Sequence, residues 1–305
     1  MLAVEAKRVA VLAVQAIRRM RGGAQSQLML GADGKLWVVK FQNNPQHLRV
    51  LANELIATRI AEAVGLSVPA SDVVEVTEWL VRHTAEMVID HGHRVVERCA
   101  AGLQFGSQFV GGLMPGQVVD TLPETQLAEV KNLREFAGML VMDKWTSNVN
   151  GRQAVFGKRP RERRYTATFI DQGYCFNAGE WKLIDTPLRG VFASNLVYER
   201  VVGWESFEPW LARVEGMDPQ TIWSAAEAIP PEWYGGDTAE LEQLVEALMA
   251  RRTRVRELID GFRESHRMPF PHWGRAASEV LPAIFAEPFP KGEWGAKTGA
   301  GKLVM

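Results

Sequence analysis

The stretch VMDKWTSNVNGRQAVF, residues 141–156, holds a carboxylate, Asp143, and an amide, Asn148, five positions later. Both follow an apolar run with helical spacing and precede a short strand-like run. Asp and Asn favour turns, so the pair alone reads as a helix end. A second acid changes this. Asp171 lies in FIDQGYCF, at the end of a later strand-like run and two residues before a glycine. A hairpin between these segments brings acid, amide and second acid to one side. That set suits phosphoryl transfer. One carboxylate orients an attacking hydroxyl and accepts its proton, while an amide oxygen and another carboxylate hold a metal against the phosphates. Asp143 is expected as the base, Asn148 as a metal ligand and Asp171 as the principal metal ligand. Mg2+ takes hard oxygen donors and keeps several waters, so few protein ligands are needed.

Such chemistry needs a cation for the phosphates and an acid to hold it. LWVVKF, residues 36–41, ends its apolar run at Lys40 and resembles the V-A-I-K strand of protein kinases. The alternative is a lysine leaving a strand end for solvent. Glu54, in ANELIATRIAEAVG, borders the apolar stripe of the next helical segment. Glu62 falls inside the stripe but near the helix C-terminus, where the dipole disfavours a carboxylate. Glu54 is therefore the expected partner of Lys40. RGGAQSQLML, residues 21–30, lies where a phosphate-covering loop belongs. Gly22 and Gly23 allow unusual dihedrals, and Ala24, Gln25 and Ser26 offer backbone N–H groups and a hydroxyl. The alternative for this segment is a plain hairpin turn.

The elements that must position these groups follow from pattern and punctuation. Residues 9–21 read as a strand, with VAVLAVQAI expected buried. Residues 26–31 and 36–41 read as a hairpin about Ala32-Asp33-Gly34. Asn44-Pro45 is expected to open a helix with the stripe Leu48, Leu51, Leu55, Ile56, Ile60 and Ala63, ended by Gly65. Residues 72–89 and 94–110 alternate like further strands, with His91-Gly92-His93 as a turn. After Gly111-Gly112 and Pro115-Gly116 the pattern becomes helical from 124. Two strand-like runs, 153–156 and 165–170, flank the basic tip GKRPRERR, and 200–264 is largely helical. Beyond 265 a loosely packed tail is expected. The predicted architecture is α+β and bilobal: a sheet-rich N-terminal lobe with one main helix (1–110), a mostly helical C-terminal lobe with a β-ribbon at the cleft (111–264), and the tail (265–305).

Together GGAQSQLM, WVVKFQNNPQH, NELIATRIAEAVGL, MDKWTSNVNGRQAVF and FIDQGYCFNAGEW resemble the HipA-like kinase domain, and IPPEWYGG (229–236) resembles that family's helical lobe. The resemblance covers roughly residues 20–264. It implies a bilobal protein-kinase-like fold, ATP in the cleft, Mg2+ as cofactor, and a Ser or Thr of a protein as acceptor. It places a hinge against the adenine at Ser107, Gln108 and Phe109. It also implies an antitoxin or regulatory partner and autophosphorylation at Ser26. Ordinary protein kinases differ here. Val141-Met142 stands in place of His-Arg, Gln172 replaces the Phe of D-F-G, and no A-P-E is evident.

Composition narrows the classes. The chain has 305 residues, 47% hydrophobic and 23% charged, with a net charge of −1. That balance gives no overall bias toward nucleic acid or membrane. Two cysteines make no disulfide framework, so a reducing cytoplasm is the expected location. The tip cations Lys158, Arg159, Arg161, Arg163 and Arg164 read as a solvated hairpin end, and His91 and His93 as a turn without further metal ligands. Two other functional readings stay open: a small-molecule kinase of the aminoglycoside-phosphotransferase type, and a nucleotide-binding pseudokinase acting as an interaction module.

Overall fold

The computed structural model describes residues 10–111 and 117–280. The junction residues Gly112, Pro115 and Gly116 and the tail beyond 280 lie outside the described residues. The first part of the chain is a barrel. Strands β1 (Val11–Arg19), β2 (Gln27–Gly31) and β3 (Leu36–Lys40) run antiparallel in sequence order. Helix α1 (Val50–Ala63) is followed by β4 (Ser71–Val76), a short helix α2 (Glu78–His83), the ribbon β5 (Val88–Asp90) and β6 (Val96–Arg98), and β7 (Gly102–Gln108). The closed order is β1-β2-β3-β7-β4, sealed by a parallel pairing of Val11 and Leu12 with Val74 and Glu75. Alternation of LWVVK sends Trp37 and Val39 inward, against Met29, Phe41, Val74 and Val76. Between β4 and β5 the run expected as strand contains α2, which Thr77 caps by accepting from Leu80 N–H at 3.2 Å.

The expectation of a buried first strand is corrected. Only Ala13 of β1 is buried; Leu12, Val14 and Ile17 are exposed. The pairing of β1 with β2 shifts register twice, between Ala13 and Gln15 and between Ala16 and Arg18. Each shift breaks the two-residue alternation and turns apolar side chains outward.

The start of α1 is corrected too. Asn44 does not cap it. The Asn44 amide donates to the Phe41 carbonyl at 2.8 Å and its oxygen accepts the Gln46 N–H at 3.0 Å. This local turn uses up the side chain, so the helix begins at Val50 and leaves Leu48 exposed. Glu62 and Ala63, placed in the stripe from sequence, are also exposed. Gly65, at φ 81°, ends the helix as its position predicts. Most of α1 is buried on every side, because Leu51, Leu55, Ile56 and Ile60 are joined by the small residues Ala52, Ala57 and Ala61.

The second part begins with β8 (Val118–Val119) and α3 (Glu124–Leu127), then α4 (Glu135–Trp145). The single helical run expected from 124 is thus two helices with turns between. Strands β9 (Gln153–Gly157) and β10 (Thr166–Ile170) form the expected antiparallel ribbon, with β8 added at its edge. The tip residues Arg159, Arg161, Arg163 and Arg164 are exposed or partly exposed. Helices α5 (Trp210–Glu215), α6 (Pro219–Glu227), α7 (Thr238–Arg251) and α8 (Val255–Arg263) follow, and a one-turn α9 (Ala277–Val280) ends the described chain. One apolar core runs from α1 through α4, the ribbon and α5–α8. Trp233 of IPPEWYGG is fully buried and donates its indole N–H to the Leu103 carbonyl at 2.8 Å, tying helical part to barrel.

The expectation of a loose tail after 265 fails for its described part. Phe270 is buried among Phe207, Tyr198, Phe262 and Trp273, and Gly274 N–H donates to the Val202 carbonyl at 2.7 Å. Aromatic area buried in this cluster outweighs the weak periodicity of the segment.

Candidate active site

Lys40 ends β3, and Glu54 sits one turn into α1, facing the barrel. The Lys40 ammonium donates to Glu54 Oε1 and, at 2.8 Å, to Asp171 Oδ1. Asp171 follows β10 directly and adopts φ 63°, a left-handed conformation that an L-residue holds only when its surroundings impose it. Three bonds do so here. Besides Lys40, Gln153 Nε2 donates to Asp171 Oδ2 at 2.7 Å, and the next backbone N–H, of Gln172, donates to Glu54 Oε2 at 3.0 Å. Gly173 completes the D-x-G. A Cβ there would lie 2.5 Å from Val50 Cγ2 and 3.3 Å from Glu54 Oε1, so only glycine lets the turn approach α1 this closely.

Charge follows geometry. Burial works against a charged Lys40, but Glu54 and Asp171 outweigh it and raise its pKa. Burial raises Glu54 above the usual carboxylate range although Lys40 opposes it. At Asp171 burial pushes upward, yet the Lys40 ammonium wins and the pKa is lowered. One cation thus serves two carboxylates.

Asp143 lies near the C-terminal end of α4, and Asn148 just beyond it. The Asn148 amide donates to Asp143 Oδ1 at 2.8 Å, and its own oxygen accepts the Asn150 N–H at 3.0 Å. Arg152, which opens the segment into β9, grips Asp143 at two points: Nε to Oδ2 at 2.9 Å, and Nη2 to Oδ1. Both side chains are 1% exposed. The third guanidinium nitrogen donates to the Ile170 carbonyl at 2.9 Å and reaches the Asp171 carbonyl at 3.5 Å. The two halves of the expected set therefore meet through an arginine that no motif in the sequence marks out.

Segment 184–191 covers the Asp143 side. At Gly190, with φ 61°, an added Cβ would lie only 3.0 Å from Asp143 Cβ. The Lys144 ammonium donates to the carbonyls of Thr186, Pro187 and Arg189 at 3.3, 2.8 and 2.6 Å. Burial pulls the Lys144 pKa down to about 8, with Asp143 opposing. A cavity of about 180 Å³ beside this segment has Asp143, Lys144, Asp185, Arg251 and Glu257 in its wall.

Two residues beyond the expected set hold the site together. Asn53, fully buried in α1, shares its amide protons among the carbonyls of Gly173, Cys175 and Ala178 at 2.7–2.9 Å. Its oxygen accepts the Trp181 indole N–H at 2.7 Å. Lys144 does the same for segment 184–191. The signal in the sequence is a polar group inside an apolar helical run, which has to find buried partners.

The expected glycine turn is present but stands apart from these clusters. Gly22 has φ 119°, and Gly23 lies beside the Gln46 side chain. The Gln25 side-chain amide donates to the Asp90 carbonyl at 2.6 Å and its oxygen accepts the Asp90 N–H at 2.8 Å, and the Gln25 backbone N–H donates to the Gly22 carbonyl at 3.2 Å. Ser26 is buried. Among the described residues this turn makes no hydrogen bond to Lys40, Glu54 or Asp171. At the expected hinge, Ser107 lies in the β7 ladder opposite Val38 and Ser71. The N–H groups of Gln108 and Phe109 donate to the Ala70 and Leu36 carbonyls at 2.8 Å, within the barrel's own closure. Cys175 is buried beside Thr146, and burial pushes its thiol up to about 12. His91 pairs with Glu97, and no cluster of three or more His, Cys, Asp or Glu side chains suited to a metal occurs among the described residues.

A family model described as HipA-like kinase matches residues 13–177, from β1 to just past the D-Q-G turn. The chain belongs to the HipA-like kinase family. As a HipA-like kinase it is a phosphotransferase, and its matched region holds Lys40, Glu54, Asp143, Asn148, Arg152 and Asp171. No curated protein sequence matches the chain. Among solved structures this HipA-like kinase is similar to a hydra Fam20 structure with sugar, at 11% identity and TM-score 0.54, covering 86% of this chain and 88% of that one. It is also similar to the Golgi casein kinase, at 11% identity and TM-score 0.52, covering 89% and 76%. A Shewanella oneidensis HipA, from a complex with HipB and operator DNA, aligns at 13% identity and TM-score 0.45, covering 83% and 69%. The first two share the mixed α+β fold of the HipA-like kinase. No helix among its described residues is long and apolar enough to cross a membrane.

Proposed function

We propose that this HipA-like kinase transfers the γ-phosphate of ATP to a hydroxyl, most directly a Ser or Thr of a protein, with Mg2+ as the metal. The observation that carries this is the Lys40 ammonium held between Glu54 and Asp171, 2.8 Å from the latter. A cation so placed at the end of a barrel strand is fixed for phosphate oxygens. In this reading the barrel with α1 is the nucleotide lobe (1–110) and residues 111–264 form the catalytic lobe, with ATP between. From the tail, Phe270 and Trp273 pack onto the catalytic lobe.

The donors fit a hard divalent ion. Asp171 would supply a carboxylate and Asn148 an amide oxygen to such an ion, which needs few protein ligands. When bound, Mg2+ neutralises charge on the phosphates. The chain's own residues do the rest. Lys40 binds the phosphates, and Glu54 keeps Lys40 in place. The acceptor oxygen forms a bond to the γ-phosphorus as the bond to the β-phosphate oxygen breaks. ADP leaves, and the acceptor proton passes to Asp143. Asp143 Oδ2 takes one hydrogen bond, from Arg152, and keeps a lone pair for this. The cavity beside segment 184–191 is of side-chain size, which supports a protein hydroxyl as acceptor.

The test is transfer of labelled phosphate from ATP into a cell lysate, comparing wild type with Asp171→Asn and identifying the labelled species. Labelled protein that disappears with Asp171→Asn supports the reading. Label on a small molecule moves the acceptor to that class. Nucleotide binding without any transfer overturns the enzyme assignment.

A further inference from the structure

Arg152 is absent from the chemistry described so far, yet it touches more of the site than any expected residue. It has two bonds to Asp143, one to the Ile170 carbonyl, and a longer reach to the Asp171 carbonyl. Its backbone N–H donates to the Val191 carbonyl at 3.0 Å, at the end of the segment that covers Asp143. An arginine is costly to bury unless each donor finds an acceptor, and here all three nitrogens do. A planar fork matches a carboxylate edge to edge and fixes its plane as well as its place. Asn148 alone gives Asp143 one bond and leaves it free to turn about it.

We propose that Arg152 is a positioning residue that fixes the plane of the Asp143 carboxylate and locks it to the strand end delivering Asp171. This rests on the kinase reading above, and it assigns the register between base and metal ligand to one side chain. Asp143 sits on a helix and Asp171 after a strand, and Arg152 is bonded to both segments. A shift of either one is passed to the other through a rigid guanidinium. Substitution therefore moves the transfer step and any binding that needs the metal, and leaves metal-free nucleotide binding to Lys40 and Glu54, which do not touch Arg152.

The test uses the full chain with Arg152→Lys and Arg152→Ala. ADP release from Mg-ATP is measured with water and the chain's own hydroxyls as acceptors, and ADP affinity by calorimetry. A misplaced reacting group costs on the order of 100-fold, so kcat is expected to fall by about that factor in both variants while ADP affinity measured without Mg2+ holds. Lysine keeps the charge but not the fork, so it does not rescue. Free guanidinium restores part of kcat in Arg152→Ala, and sodium chloride at equal ionic strength does not. The role is overturned if either variant keeps wild-type kcat, or if lost turnover is matched by lost ADP affinity and guanidinium restores nothing. If Arg152→Ala does not fold, thermal melting of Asp143→Asn, Arg152→Met and the double variant decides. Recovery of the midpoint in the double variant supports the pairing, and independent losses overturn it. No ADP release by wild type overturns the kinase reading and this role together. Release that the Arg152 variants match overturns this role alone.

Discussion

Lys40 and Asp171 are 131 positions apart in the chain and 2.8 Å apart in the fold. Their contact closes the barrel strand β3 onto the ribbon strand β10, with Glu54 of α1 as the third member. Two carboxylates share one ammonium.

Replacing Lys40 by Met leaves Glu54 and Asp171 facing each other without a counter-ion. Loss of one partner from a buried pair costs about 3 kcal/mol, and the proposed phosphate contact goes with it. Urea unfolding should show a drop of that order in Lys40→Met, and ADP release should be lost. Restored stability in Lys40→Met with Glu54→Gln, without restored turnover, separates the two effects.

Gly173 is expected to tolerate no side chain. An added methyl meets Val50 Cγ2 at 2.5 Å, and overpacking of this kind costs about 1–3 kcal/mol. Val50→Ala should recover much of the loss in Gly173→Ala. If the double variant is no more stable than Gly173→Ala, crowding against α1 is not the reason for the glycine.

Asn53→Leu strands the Cys175 and Ala178 carbonyls and the Trp181 indole together, while the Gly173 carbonyl keeps its bond from the His47 ring. Each unpaired buried group costs on the order of 1 kcal/mol or more, so a loss of about 3 kcal/mol is expected. The Trp181 indole N–H resonance should move in the same variant. An unmoved resonance would show that the bond does not persist in solution.

Lys144 gives a pH dependence with a definite sign. Its ordinary value is 10.5, and in the folded chain it is about 8. Between those values the unfolded chain binds more protons, so the contribution of Lys144 is complete above 10.5 and is lost as pH falls through about 8. The stability of wild type minus that of Lys144→Met should therefore climb across this window, by up to about 3 kcal/mol. Equilibrium unfolding of both proteins at a series of pH values checks it, and a flat difference counts against it.

Much of this arrangement is legible in the sequence. Lys40, Glu54 and Asp171 stand out because each sits at an element end or stripe edge where a charge is conspicuous. The hairpin, the ribbon and the helix stop at Gly65 follow from turn chemistry and alternation. What the sequence hides has a common physical cause. Arg152 and Asn53 act through partners remote in sequence, and no local pattern states where a buried polar group will find its acceptors. The start of α1 differs from its expected place because Asn44 satisfies its own turn instead of capping. The first strand reads as buried because apolar content says nothing of register, and two register shifts turn its side chains out.

The dependence of α1 on distant partners bears on how the protein is made. The helix is complete in sequence by residue 63, but the Gln172 N–H that Glu54 accepts and every group that Asn53 bonds lie 118 to 128 positions further on. While the ribosome is still adding the second half, Asn53 has none of these partners and the face of α1 that meets α6 is uncovered. Synthesis must pass residue 181 before those groups find their partners. The site is therefore a late product of folding, formed by non-local closure, and a nascent chain arrested in its middle presents a sticky helix in place of a partial enzyme.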